Sequence, residues 1–235
     1  MDEDITGMIL AGGFGKRLRP ITDHIPKPLV EIKENYCIMD KQLEDFSKAG
    51  IKKVILLTGY LHNKIEERYE NEWNGIEIKY SVEVEPLGTW GAIRKALIEK
   101  HVSESVIIRN GDVVAEIDIN DIIRKSNHPV TILGAPMRSP YGILDINGDN
   151  KISGFKEKPI LPYYINGGLY YVKNVSDIFE VGKELPNPSS IENQIFPLMA
   201  NEGKLGIYKM PENALWKSID TQKDLEEIWD FYNKK

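Results

Sequence analysis

Glycines and cations crowd one short stretch, MILAGGFGKRLRPITDHIPKPLVEI, from Met8 to Ile32. Gly12, Gly13 and Gly15 let backbone N–H groups converge on an oxyanion with no Cβ in the way. Arg17 adds a planar donor fork, and Lys27 adds a compact point charge. Pro26 and Pro28 bracket Lys27 and restrict its backbone, so less freedom is lost on binding. The chemistry that suits this set is the holding of phosphate. Two common phosphate motifs do not fit. A P-loop needs Ser or Thr after Gly15-Lys16, where Arg17 stands. The dinucleotide fingerprint needs a glycine where Leu18 stands. A glycine-rich turn with solvated cations would explain Gly-Gly-x-Gly alone, so the elements around it have to decide.

The chain has 235 residues, of which 41% are apolar, enough for one large domain or two small ones. Its formal net charge of −6 argues against a nucleic-acid binder, which needs a basic face. Any anion site is therefore local. Cys37 is the one cysteine, so no internal disulfide forms and a reducing, cytoplasmic setting is expected. It falls in a helical pattern and reads as a small core residue. The acidic start, MDEDITG, lacks the positive region of a secretory signal, and no apolar run reaches membrane-spanning length.

Ile5 to Leu10 reads as a buried strand that ends at the glycines. Helical patterns follow at 38–50, 61–73, 89–101 and 119–127, alternating with strands at 52–59, 76–82, 103–114 and 129–137. Such alternation predicts an α/β fold, a Rossmann-like mixed, mostly parallel sheet with helices on both faces. Ligands of such sheets bind beyond the carboxyl ends of the strands. From residue 138 the character changes. YGILDINGDNKISGF reads as two strands about an Asn-Gly-Asp turn, INGGLYYVK and KLGIYKM as strands, and SIENQIFPLMANEG as a helix. DTQKDLEEIWDFYNKK reads as a capped final helix. The expectation is a single domain over 1–235, with a first part at 1–137 and a substrate-facing second part at 138–235.

The full string from Leu10 and Ala11 through Gly12, Gly13, Gly15 and Arg17 to Pro26-Lys27-Pro28-Leu29 resembles the signature of the sugar-1-phosphate nucleotidylyltransferases. The resemblance continues in order along the chain, through EPLGTWGAI, RNGDVV, Tyr141-Gly142, FKEKP, INGGLY and WKSIDT. It implies a nucleotide-diphospho-sugar transferase fold. It also implies transfer of a nucleoside monophosphate from a triphosphate to a sugar 1-phosphate, with release of pyrophosphate. By that resemblance Leu10, Ala11, Gly12, Gly13, Gly15, Glu85, Gly88, Thr89 and Asp112 bind nucleotide. Gly142, Glu157, Lys158, Asn166 and Gly168 bind sugar phosphate, so that 1–137 is the nucleotide-binding part and 138–235 the sugar-phosphate-binding part. Asp112 and Asp220 hold Mg2+, and Arg17, Lys27 and Lys158 neutralise phosphate charge in catalysis. A homodimer is the implied assembly.

Each piece has a plainer reading. Asp112 could be a turn residue after Asn110-Gly111, Asp220 a helix cap, and Lys158 half of a surface ion pair with Glu157. Trp90 could pack in the interior or border the base. Thymidylyl and uridylyl members often carry a glutamine after the base-binding glycine, whereas Gly88-Thr89-Trp90-Gly91 has none and EPLGT resembles the guanylyl members acting on mannose- or heptose-type sugars. Alternatives are uridylyl transfer to another sugar 1-phosphate, a phosphocholine-type acceptor, and a nucleotide-sensing subunit without catalysis. Bifunctional members continue into a β-helix, and without that extension no acyltransferase activity is expected.

Overall fold

The computed structural model describes residues 5–234. Met1–Asp4, part of the start that was read as no signal sequence, lie outside the described residues. In chain order the elements are β1 (Ile5–Ala11), β2 (Glu31–Lys33), β3 (Tyr36–Cys37), α1 (Ile38–Lys48), β4 (Lys53–Thr58) and α2 (His62–Tyr69). There follow β5 (Glu72–Trp73), β6 (Ile76–Val82), α3 (Gly88–Glu99), β7 (Ser105–Asn110), β8 (Val113–Ala115), α4 (Ile119–Lys125) and β9 (Val130–Arg138). The second part holds β10 (Ile143–Ile146), β11 (Ile152–Lys156), β12 (Ile160–Val172), α5 (Val175–Gly182), α6 (Phe196–Asn201), β13 (Leu205–Lys209), β14 (Trp216–Ser218) and α7 (Gln222–Asn233).

Eight strands form the main sheet in the order β13-β9-β12-β7-β1-β4-β6-β5. The pairs around β1 are parallel, with Met8 opposite Ile55 and Ile108. Strand alternation sends Ile9 and Leu56 to the α1–α2 face, and Met8, Ile55 and Leu57 to the face covered by α3, α5 and α6. Burying each such side chain stabilises the fold by roughly 1.5–3 kcal/mol. A third cluster of Leu18, Val30, Ile32, Val114, Ile219 and Ile228 ties the segment after the glycines to β8 and α7.

The mixed, mostly parallel α/β architecture is the one the alternation predicts. Several local readings change. The sequence ran β9 on in the parallel series, yet β12 lies antiparallel between it and β7. The helix expected to reach Trp73 stops at Tyr69, where Glu70 turns to a φ of 47° and Glu72–Trp73 folds back on β6. The strand expected over 103–114 breaks at Gly111 and Asp112, after which β8 leaves the sheet to pair with β14. SIENQIFPLMANEG divides into a π-helical turn at Ile191–Ile195 and α6. Cys37 is buried, but it caps α1 from outside rather than sitting within it.

Candidate active site

The carboxyl ends of β1, β4, β6 and β7 open into a cleft of about 600 Å³. Ala11 closes β1, and the chain then turns through the glycines. Gly15 takes a φ of 60°, and a Cβ there would stand 2.9 Å from the Thr22 side chain, so the position calls for glycine. Its carbonyl accepts from the Thr22 hydroxyl at 2.8 Å and the Leu18 amide at 2.9 Å. That closes a short 3-10 turn, Lys16–Leu18, which carries Arg17. A later such turn, Lys27–Leu29, starts after Pro26 and aims Lys27 inward, its side chain only 13% exposed.

Lys27 donates to Asp112 Oδ2 at 2.8 Å and to Asp220 Oδ1 at 2.7 Å. Arg17 reaches the same Asp220 oxygen at 2.8 Å. The two aspartates come together because β8 and β14 pair as a ribbon, with Val113 opposite Ser218. The Ile219 amide donates to the Asp112 carbonyl at 2.9 Å, which places Asp220 beside it. Burial pushes the Asp220 carboxyl up, but the hydrogen bond and charge of Lys27, with Ser218 and Arg17, hold it below the usual carboxylate range. The cap of α7 is Thr221, boxed with Asp224, so the capping reading of Asp220 falls away.

Positive charge is favoured between these carboxylates, since one ammonium lies within hydrogen-bond reach of both. Among the described residues no group of three or more His, Cys, Asp or Glu could cage a metal. A facing pair still fits Mg2+, which commonly takes one or two carboxylates and fills its shell with phosphate oxygens and water.

The cleft brings together Leu10, Ala11, Gly12, Gly13, Gly15, Arg17, Lys27, Glu85, Gly88, Thr89, Asp112 and Asp220. Gly88 has a φ of 74°, and a Cβ there would collide with the Ser189 carbonyl, so its smallness serves the chain crossing as well as the cleft. Trp90 is fully buried and its indole donates to the Gly182 carbonyl at 2.9 Å, which settles it in the interior.

Gly142, Glu157, Lys158, Asn166 and Gly168 do not line that cleft. Gly142 lies under the Phe155 ring and near Glu157. Lys158 follows β11 with its side chain 62% exposed, 4.0 Å from Glu157. Asn166 accepts from the Gly168 amide at 2.9 Å and donates to the Tyr170 hydroxyl at 3.0 Å. Tyr170 passes the chain on to Asn110 Oδ1 at 3.4 Å, and Asn110 is a cleft residue.

Sequence reasoning missed some members. Tyr60 and Phe14 line the cleft mouth with ring centroids 5.2 Å apart. Glu192 accepts from Thr89 at 2.6 Å and from Ser190 at 2.8 Å, bracing the start of α3 across 103 positions of sequence, a separation that leaves no local signal. Glu83, which sequence reasoning does name beside Glu85 as an acceptor for guanine's donors, also lines the cleft; burial pushes its carboxyl up and it accepts the Leu87 amide at 2.8 Å, whereas Glu85 stands exposed.

A family model described as nucleotidyl transferase matches residues 6–235. The chain belongs to the nucleotidyl transferase family. It is 35% identical over 230 residues to mannose-1-phosphate guanyltransferase beta-A of Xenopus laevis, covering 92% of this chain and 61% of that protein. It is 34% identical over 232 residues to mannose-1-phosphate guanyltransferase of Saccharomyces cerevisiae, covering 93% and 62%. The chain thus spans about three-fifths of the length of these curated relatives. Among solved family-like structures, HddC from Yersinia pseudotuberculosis superposes with a TM-score of 0.74 at 27% identity, covering 97% of this chain and 99% of that one. HddC complexed with GMP-PN gives a TM-score of 0.71 at 25% identity, covering 97% and 99%.

Proposed function

We propose that the chain transfers a guanylyl group from GTP to a mannose- or heptose-type sugar 1-phosphate, giving a nucleotide sugar and pyrophosphate. The observation that carries this is the meeting of Asp112, Asp220, Lys27 and Arg17 beside the glycine turn in one cleft. The guanyltransferase relatives and the nucleotide-bound HddC favour the base.

An oxygen of the sugar phosphate attacks the α-phosphorus, forming a new P–O bond. The bond to the β-phosphate oxygen breaks in line, and pyrophosphate departs with that electron pair. The nucleophile is already an anion near neutral pH, so no general base is required. The obstacle is repulsion between two polyanions, and catalysis is positioning with charge neutralisation. Amides at Gly13 and Gly15 with Arg17 hold the departing β- and γ-phosphates. Lys27 serves the α-phosphate, and Glu85 offers an acceptor to the donors of guanine. Lys158 holds the incoming phosphate while Glu157 and Asn166 meet sugar hydroxyls. Asp112 and Asp220 would hold Mg2+, whose chemistry there is neutralisation of phosphate oxygens. A homodimer belongs to the same reading.

A matrix of nucleoside triphosphates against sugar 1-phosphates and phosphocholine, read by pyrophosphate release, tests it. GTP with a mannose- or heptose-type partner gives the largest kcat/KM. Release with no pair would overturn the enzyme, and a preference for UTP or phosphocholine would overturn the proposed substrates.

A further inference from the structure

Helix α1 turns a polar seam toward the strand end that carries Asp112. Lys41 donates to the Ala115 carbonyl at 3.2 Å, and Asp45 accepts from Arg109 at 2.7 Å. Between them, Gln42 is fully buried, and its Nε2 donates to the carbonyls of Asn110 and Val113, both at 2.9 Å. Those carbonyls bracket Gly111 and Asp112, so one side-chain amide spans the turn. The far side of the turn is held by the Ile219 amide on the Asp112 carbonyl, at 2.9 Å. Gln42 Oε1 is buried without a hydrogen-bond partner. An unpaired buried carbonyl disfavours folding, and an apolar side chain of that shape would avoid it. The residue is thus suited to fixing the turn rather than to adding stability.

We propose that Gln42 is a positioning residue for the cation site: it sets the turn from Asn110 to Val113 so that Asp112 meets Asp220 at one point. It touches neither substrate nor reacting atoms. The inference rests on the nucleotidyl-transfer reading above, and the test separates the two.

The probe is Mn2+, titrated by electron paramagnetic resonance beside a non-hydrolysable GTP analogue. Changing a residue that orients metal ligands typically costs about 10- to 100-fold in metal affinity or activity. Gln42→Met should weaken Mn2+ by that factor and lower kcat, with analogue affinity in the absence of metal unchanged. Leu43→Ala, which disturbs the same helix from its buried apolar side, should lower the melting temperature and leave Mn2+ affinity alone. Gln42→Glu keeps the shape and turns an acceptor toward both carbonyls, so it should weaken Mn2+ as well and serves if the Met variant does not fold. Wild-type Mn2+ affinity in the Gln42 variants, or equal loss in Leu43→Ala, would overturn the positioning role. A wild-type protein that binds no Mn2+ beside the analogue overturns the nucleotidyl-transfer reading, and this inference with it.

Discussion

The cleft wall formed by the glycine turn, Asp112 and Asp220, braced by the β8–β14 ribbon and α1, is packed and cross-linked, whereas Gly142, Glu157 and Lys158 belong to a second wall outside that cleft, an exposed hairpin. On the first wall Lys27 is almost covered and bonds two carboxylates, and the turn that carries Asp112 is held by the Ile219 amide on one side and the buried Gln42 amide on the other. On the second, β10 and β11 pair only with each other, and Ile146, Ile152 and Phe155 lie 62–63% exposed. Burial magnifies electrostatics on the first wall and solvent screens them on the second. On the proposed reading, charge neutralisation would fall to fixed groups and acceptor recognition to groups whose geometry is set less firmly.

That contrast can be broken by substitution. The largest loss is expected from Asp112→Asn or Asp220→Asn, about a thousandfold in pyrophosphate release, the upper end for removing one preorganised charge contact. Circular dichroism should show α7 intact in Asp220→Asn, because Thr221 caps it; an activity unchanged in both would sink the first wall's role. Arg17→Ala should cost about a hundredfold in kcat/KM. Its side chain is 72% exposed, so the melting temperature should not move. Lys158→Ala should raise the KM for the sugar phosphate about tenfold, the lower range for a charged hydrogen bond, and leave the KM for GTP alone. A large fall in kcat with KM unmoved would place the hairpin's lysine at the transition state instead.

The smallest effect concerns acid stability. Burial pushes the Asp40 carboxyl up, but hydrogen bonds from the Cys37 backbone and side chain, Arg68 and Tyr69 outweigh it and hold the folded-state value below normal. The folded state therefore binds fewer protons than the unfolded chain near the unfolded pKa of about 3.9. The stability this gives is fully present above that pH and is lost as the pH falls through the lower folded value. Melting temperatures of the wild type should drop as the medium is acidified past that point, and Asp40→Asn should show a shallower drop. Parallel curves would remove Asp40 from the acid response.

Glycine and proline with lysine and arginine announced the tight turn that lines the cleft, because few backbones need those residue types together. Asn110-Gly111-Asp112 offered a turn as the plainer reading, but the strand pattern ran on past it to Val114, beyond the end of β7. What stayed hidden depended on distant pairing. WKS is too short to show strand alternation, so nothing local revealed that β14 would bring Asp220 to Asp112. Gln42 sits in a helical pattern as an ordinary polar position, and only the fold reveals the carbonyls it reaches. The helix expected through Trp73 failed because Glu70 adopts a backbone that propensity does not foresee. Sugar identity leaves no mark at all, since one hydroxyl configuration is read by pocket shape.

The ribbon of β8 and β14 joins pieces that synthesis delivers far apart in time. The parallel strands around β1 can assemble while Trp216–Ser218 is still unmade, yet the two carboxylates have no common meeting point until that strand docks. Cation binding at the proposed site would thus be a late event in a nascent chain, its onset marking completion of the fold rather than the first collapse of the core.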